Sequence, residues 1–222
     1  MYSVNKPFFQ HPFTMIISGG TGTGKTQWLM RFLKNTAHII HPRVQKILYC
    51  YGEANSNILA LSKMELNGEN QVKTFNGVPS ESIIREEANT CGGKLLLVLD
   101  DLVVNLDSSF LDSLFTRGSH NWGVSVVLVT QHVFLKTLRT ARANAHILCL
   151  MRNPAGELQI RTLAQQLFPG KHQFFMESYR DATGQKFSYL IIDMHPNTDD
   201  RLRLRTNIFP DDLKTVVYLP KS

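Results

Sequence analysis

The sequence is poor in cysteine: Cys50, Cys91 and Cys149 are the only three in 222 residues. They have no metal-ligand spacing and two lie in apolar runs, which excludes a disulfide scaffold and a thiolate cluster. They read as buried thiols of a reducing compartment. Long hydrophobic runs are also missing. Leu95–Leu99 is typical of the apolar stretches, whereas a membrane-spanning helix needs about 20 residues. The opening MYSVNKPFFQHPF lacks the basic-then-apolar layout of a secretory signal. His38 and His41 have no thiol or acidic partner at useful spacing, so they read as loop residues and not as metal ligands. Charged residues make up 19% and hydrophobic ones 43%, which excludes disordered and fibrous classes. The expectation is a soluble, intracellular globular protein. Its net charge of +6 admits a nucleic-acid partner without requiring one.

What is present is alternation of strands and helices. Six short runs rich in β-branched and apolar residues predict strands at Thr14–Ser18, Lys46–Tyr51, Leu95–Leu99, Val124–Thr130, His146–Leu150 and Phe187–Met194. Several are continuously apolar, as in strands covered on both faces. Between them, Trp28, Leu29, Phe32 and Leu33 fall on one helical stripe. Phe110, Leu111, Leu114 and Phe115 repeat it after Asp107, a candidate cap. Asn153-Pro154 marks a helix entry, Leu163 and Leu167 its inner face, and Pro169-Gly170 its stop. The pattern predicts a three-layer α/β fold around a mainly parallel sheet. The length suits one domain over 1–222, with 1–12 an N-terminal arm and 195–222 a C-terminal appendage. In that tail Arg201, Arg203 and Arg205 alternate with leucines. As a strand they would share one face and could track phosphates, or simply charge an outer edge.

The first predicted strand runs into Gly19-Gly20-Thr21-Gly22-Thr23-Gly24-Lys25-Thr26-Gln27 and then an amphipathic helix. That is the P-loop pattern in its required strand–loop–helix context. Its glycines let backbone N–H groups turn inward around phosphate oxygens, at the positive end of the following helix. Lys25 would reach the β- and γ-phosphates of ATP, and the Thr26 hydroxyl would hold Mg²⁺. A second strand ends in Asp100-Asp101. There Asp100 would support Mg²⁺ and Asp101 would orient and deprotonate an attacking water. A third ends in Gln131, suited to sensing a γ-phosphate. This order predicts a P-loop NTPase of the type with an additional strand between the first two. A guanine reader of the Asn-Lys-x-Asp type is absent after the acidic strand, since the only Asn-Lys is Asn5-Lys6, so a GTPase is excluded. A nucleoside or nucleotide kinase, with Arg139 and Arg142 as a lid, stays open as a weaker alternative. So does an ATP-binding assembly module without turnover.

Several longer segments carry a resemblance. They include Leu114–His120 running into Val127–Gln131, then Arg139-Thr140, Asn144–His146 and Arg152–Pro154. Gln159–Ala164, Phe168–Gly170 and Leu202–Pro210 continue the series. Together they resemble the FtsK/HerA-type ATPases that package viral genomes, in particular those of polinton-like elements and adintoviruses. The poxvirus packaging ATPase is more distantly similar. The resemblance implies a RecA-like domain in a homo-oligomeric ring, pentamer or hexamer, that drives double-stranded DNA into a capsid through its portal vertex. Such a protein would work inside an infected host cell, with virion association left open. It also implies an arginine supplied to the neighbouring subunit's site, for which Arg139 matches best and Arg142 is the reserve. One departure is Asp101, where many relatives of the wider superfamily carry glutamate.

Overall fold

The computed structural model describes residues 9–54, 56–64 and 71–220. The first eight residues of the expected arm and the last two of the expected appendage lie outside these. In chain order the first half comprises β1 (Phe9–Gln10), β2 (Thr14–Ser18), α1 (Lys25–Lys34), α2 (Thr36–Ile39), β3 (Ile40–His41), β4 (Lys46–Tyr51), α3 (Ser56–Ser62), β5 (Val72–Asn76) and α4 (Glu81–Thr90). There follow β6 (Leu95–Asp100), α5 (Ser108–Ser113), α6 (Ser119–Trp122), β7 (Val124–Thr130), α7 (Arg139–Ala143) and β8 (Ile147–Met151). The last elements are α8 (Glu157–Leu167), α9 (His172–Ala182), β9 (Tyr189–Asp193), β10 (Leu204–Thr206) and β11 (Val216–Val217). A five-residue π-helical turn, Leu114–Gly118, joins α5 to α6.

Among the described residues nine strands form one sheet in the order β11-β10-β9-β8-β2-β7-β6-β4-β5. The pairs from β8 through β5 are parallel, while β9, β10 and β11 add antiparallel. The continuous apolar runs are explained by cover on both faces. Leu95, Leu97 and Leu99 of β6 join one core cluster with Ile84 of α4, Leu111 of α5 and Phe175 of α9. The intervening Leu96 and Val98 join the other, with Trp28, Leu29, Phe32 and Leu33 of α1. This is the expected α/β architecture with helices on both faces. All three cysteines are buried and free, and no helix among the described residues is long and apolar enough to cross a membrane.

Several boundaries differ from expectation. The strand at Leu95 extends through Asp100, and the one at His146 begins and ends a residue later. The last predicted strand is shorter, because a turn at Gln185–Ser188 holds Phe187 out of it. His38 belongs to α2 and His41 to β3, not to a loop. Asp107 does occupy the N-cap position of α5, and its carboxylate accepts the Ser109 hydroxyl.

The basic stripe is overturned. A short 3₁₀ turn at Asp200–Leu202 precedes β10, so the three arginines do not share one strand face. Each is answered by an aspartate: Arg201 by Asp199 at 2.6 Å, Arg203 by Asp200 at 2.7 Å and Arg205 by Asp193 at 2.7 Å. Arg205 and Asp193 are both buried, so Arg205 presents no charge to a phosphate backbone.

Candidate active site

The sheet register brings the predicted residues together. Ser18, the last residue of β2, lies opposite Thr130 of β7, and Asp100 lies opposite Val129 on the other side of β7. The glycine loop, the two aspartates and Gln131 therefore leave the same edge of the sheet on three adjacent strands. Gln131 is tied directly to the loop, its side-chain oxygen accepting the Thr21 hydroxyl at 3.4 Å.

The loop has the conformation of an anion cradle. Gly22 and Gly24 have φ of 76° and 99°, which favour glycine, and Gly24 is the N-cap of α1. The first intrahelical bond runs from the Trp28 N–H to the Gly24 carbonyl (2.9 Å). The N–H groups of Lys25, Thr26 and Gln27 thus have no carbonyl one turn back and form the helix's positive end. Thr23 braces the loop by donating to the Gly20 carbonyl at 2.8 Å. The Lys25 ammonium folds over the loop, donating to the Gly19 and Gly20 carbonyls at 2.8 and 2.9 Å. Burial draws Lys25 below its ordinary pKa, while Asp101 and Asp100 oppose that shift.

Asp100 is buried at the end of β6 and accepts the hydroxyl of Tyr49 from β4. Sequence reasoning missed Tyr49. The available signal is a tyrosine in a fully covered strand, whose hydroxyl needs a polar partner. Asp101 is exposed, with φ at 54°, a left-handed backbone conformation of the kind that clusters at functional sites, and its charge acts on both Lys25 and Asp100. Arg139 begins α7, exposed and without a side-chain partner among the described residues. Arg142 is engaged, donating to the Val133 carbonyl at 2.9 Å and lying 4.4 Å from the Phe134 ring centre.

No family model and no curated protein matches the chain. Solved structures do. The DNA-packaging ATPase B204 from Sulfolobus turreted icosahedral virus aligns over 96% of this chain and 100% of its own at 12% identity, with a TM-score of 0.58. The genome packaging NTPase B204 from Sulfolobus turreted icosahedral virus 2, in complex with ATP-γS, aligns over 95% and 98% at 11% identity, TM-score 0.55. The KaiC-like protein PH0186 from Pyrococcus horikoshii OT3 aligns over 94% and 91% at 14% identity, TM-score 0.50. The fold is that of a P-loop NTPase.

Within a P-loop fold the residues present fit a nucleotide with a divalent cation. Among the described residues no three His, Cys, Asp or Glu side chains cluster as a metal cage. Magnesium needs none when one or two carboxylates and the substrate's phosphates hold it. Asp100, at the strand end beside the loop, is suitably placed.

Burial also holds the Asp100 carboxyl above its ordinary value of 3.8, reinforced by Asp101 and opposed by Tyr49 and Lys25. A folded-state pKa above the unfolded one costs stability once pH exceeds the unfolded value, because the unfolded chain then releases the proton more readily. Asp100→Asn is therefore expected to raise Tm at pH 8, with the gain shrinking as pH falls toward 3.8. Thermal melts of the two proteins between pH 4 and 8 check this. A lower Tm for the variant throughout would contradict it.

Proposed function

We propose that the chain is an ATPase that drives double-stranded DNA into a viral capsid as a homo-oligomeric ring, acting inside the infected cell. The observation that carries the ATPase reading is the convergence of the glycine loop, Asp100-Asp101 and Gln131 on three adjacent strands, with β7 between β2 and β6. The motor reading is supported by the fold-level likeness to the B204 packaging proteins over nearly the whole of both chains and by the net positive charge.

In this reading the loop amides and Lys25 bind the phosphates, with Lys25 exchanging its loop carbonyls for β- and γ-oxygens. Thr26 and Asp100 hold Mg²⁺, which when bound neutralises charge on the phosphates. Tyr49 fixes the Asp100 carboxylate. Asp101 takes a proton from the attacking water, and Gln131 hydrogen-bonds water and γ-phosphate. Through Thr21, Gln131 passes the nucleotide state between the loop and the segment after β7. That segment leads to Arg139, which serves the neighbouring subunit's site. Arg142 is set aside because Phe134 and Val133 already hold it, and the same contacts weaken a kinase-type arginine lid.

The test is ATP hydrolysis at low salt with and without long duplex DNA, with Lys25→Ala as the blank. Duplex is expected to raise turnover several-fold, and the stimulation should fall steeply with added salt as phosphate contacts are lost. Turnover indifferent to duplex, at concentrations where rings form, would sink the motor reading and direct attention to small phosphate acceptors.

A further inference from the structure

Phe187 occupies a turn closed from Ser188, whose N–H and hydroxyl both donate to the Gln185 carbonyl at 3.3 and 2.7 Å. Its φ is 65°, the left-handed region where a bulky residue is an outlier, and it is 43% exposed. Neither backbone preference nor burial accounts for phenylalanine here. Glycine would fit the turn without strain and would surrender little core.

The ring lies against the P-loop. A β-carbon placed on Gly24 would fall 2.7 Å from Phe187 Cδ1 and 3.3 Å from its Cγ. The contact exists because residue 24 has no side chain. The topology fixes the side from which the ring approaches. Tyr189 of β9 pairs with Met151 of β8, and Leu150 of β8 pairs with Ser18, so Phe187 stands on the β8 side of the loop. Asp100, Asp101 and Gln131 stand on the β7 side. A nucleoside triphosphate whose γ-phosphate points to the aspartates must send its base the other way, past Gly24.

We propose that Phe187 is the platform on which the base of the bound nucleotide stacks. The proposal rests on the reading of Gly19–Thr26 as a nucleotide site. The exposed Lys186 ammonium, 4.9 Å from the ring centroid, makes a contact that is weak in water and exchangeable for a base. Every base offers a π-face, so the platform adds affinity for the nucleoside without selecting among bases.

The experiment compares ATP, GTP and inorganic tripolyphosphate binding by titration calorimetry in the full chain and in Phe187→Gly and Phe187→Trp. Phe187→Gly is expected to weaken both nucleotides about tenfold while leaving tripolyphosphate affinity unchanged and Tm unchanged or higher. Phe187→Trp retains nucleotide affinity. Equal ATP affinity in the parent and Phe187→Gly overturns the proposal. So does a parallel loss for tripolyphosphate, which would mean the ring only shapes the loop. A parent protein that binds none of the three ligands overturns the underlying nucleotide-site reading, and the platform with it.

Discussion

Asp101→Asn is expected to lower ATP turnover by about 10²- to 10⁴-fold, the usual contribution of a positioned general base, while ATP affinity changes by no more than about twofold. Asparagine keeps the size of the side chain and is among the residues that best tolerate positive φ, so the local geometry at φ 54° survives. The amide cannot take a proton from water. Asp101 is exposed and has no side-chain hydrogen bond or ion pair to lose among the described residues, in contrast to Asp100, which is buried on Tyr49. A split between affinity and turnover therefore isolates chemistry from binding. Calorimetric ATP binding and single-turnover hydrolysis, measured on the same preparation, supply the two numbers. Retention of more than about a tenth of the turnover would remove Asp101 from the role of base, leaving Gln131 to orient the water and another group, from this chain or a neighbouring subunit, to take its proton.

The parts of this site that local chemistry dictates were legible in the sequence. Gly19 to Thr26 reads as a phosphate cradle from its glycines and its lysine, and the strand and helix expected on either side of it are there. The continuous apolar runs Leu95–Leu99 and Val124–Thr130 read as strands covered on both faces, and they emerged close to the expected bounds. What escaped depends on partners distant in the chain. Tyr49 looks like one more apolar strand residue until β4 is laid beside β6 and its hydroxyl meets Asp100, 51 residues on. Phe187 looks like the start of an apolar strand until the Gln185–Ser188 turn takes it away from the sheet. The edge strand β5 has only Val72 buried, so it lacks the apolar run that exposed its neighbours. Helix α9 follows the Pro169-Gly170 stop and carries its buried face on Phe175, Met176 and Tyr179, a periodicity masked by the polar residues between them. The tail misled for a related reason. Alternation of arginine and leucine suggests a strand with one charged face, but the aspartates that neutralise those arginines sit at Asp199, Asp200 and Asp193. Two of them lie just before the alternating stretch and form its entry turn, and the third is on β9.

That third pair sets the largest expected loss of stability. Arg205→Ala should lower the unfolding free energy by about 3–5 kcal/mol, because removing one partner of a buried ion pair strands the other charge. Asp193 is the residue stranded. Its carboxylate also accepts the His195 N–H at 3.1 Å and the Thr198 hydroxyl at 2.9 Å, which are neutral donors that do not replace a guanidinium. Arg205 additionally donates to the Leu202 carbonyl at 2.5 Å, so the substitution loosens the turn that leads into β10. Against a typical total of about 5–15 kcal/mol, such a loss brings the chain near unfolding at ordinary temperatures. Arg201→Ala, whose ion pair is solvent-exposed, should cost less than about 1 kcal/mol. Urea denaturation of the three proteins separates the cases. The double change Arg205→Met with Asp193→Leu should recover part of the loss, since it strands no charge, but not all of it, because the His195 N–H, the Thr198 hydroxyl and the Leu202 carbonyl lose their partners. If Arg205→Ala proved as mild as Arg201→Ala, the pair would be hydrated in solution and β10 would not be held to β9 by charge. Arg205 would then again be available to a phosphate backbone, and the salt dependence of DNA binding by Arg205→Ala would become the deciding measurement.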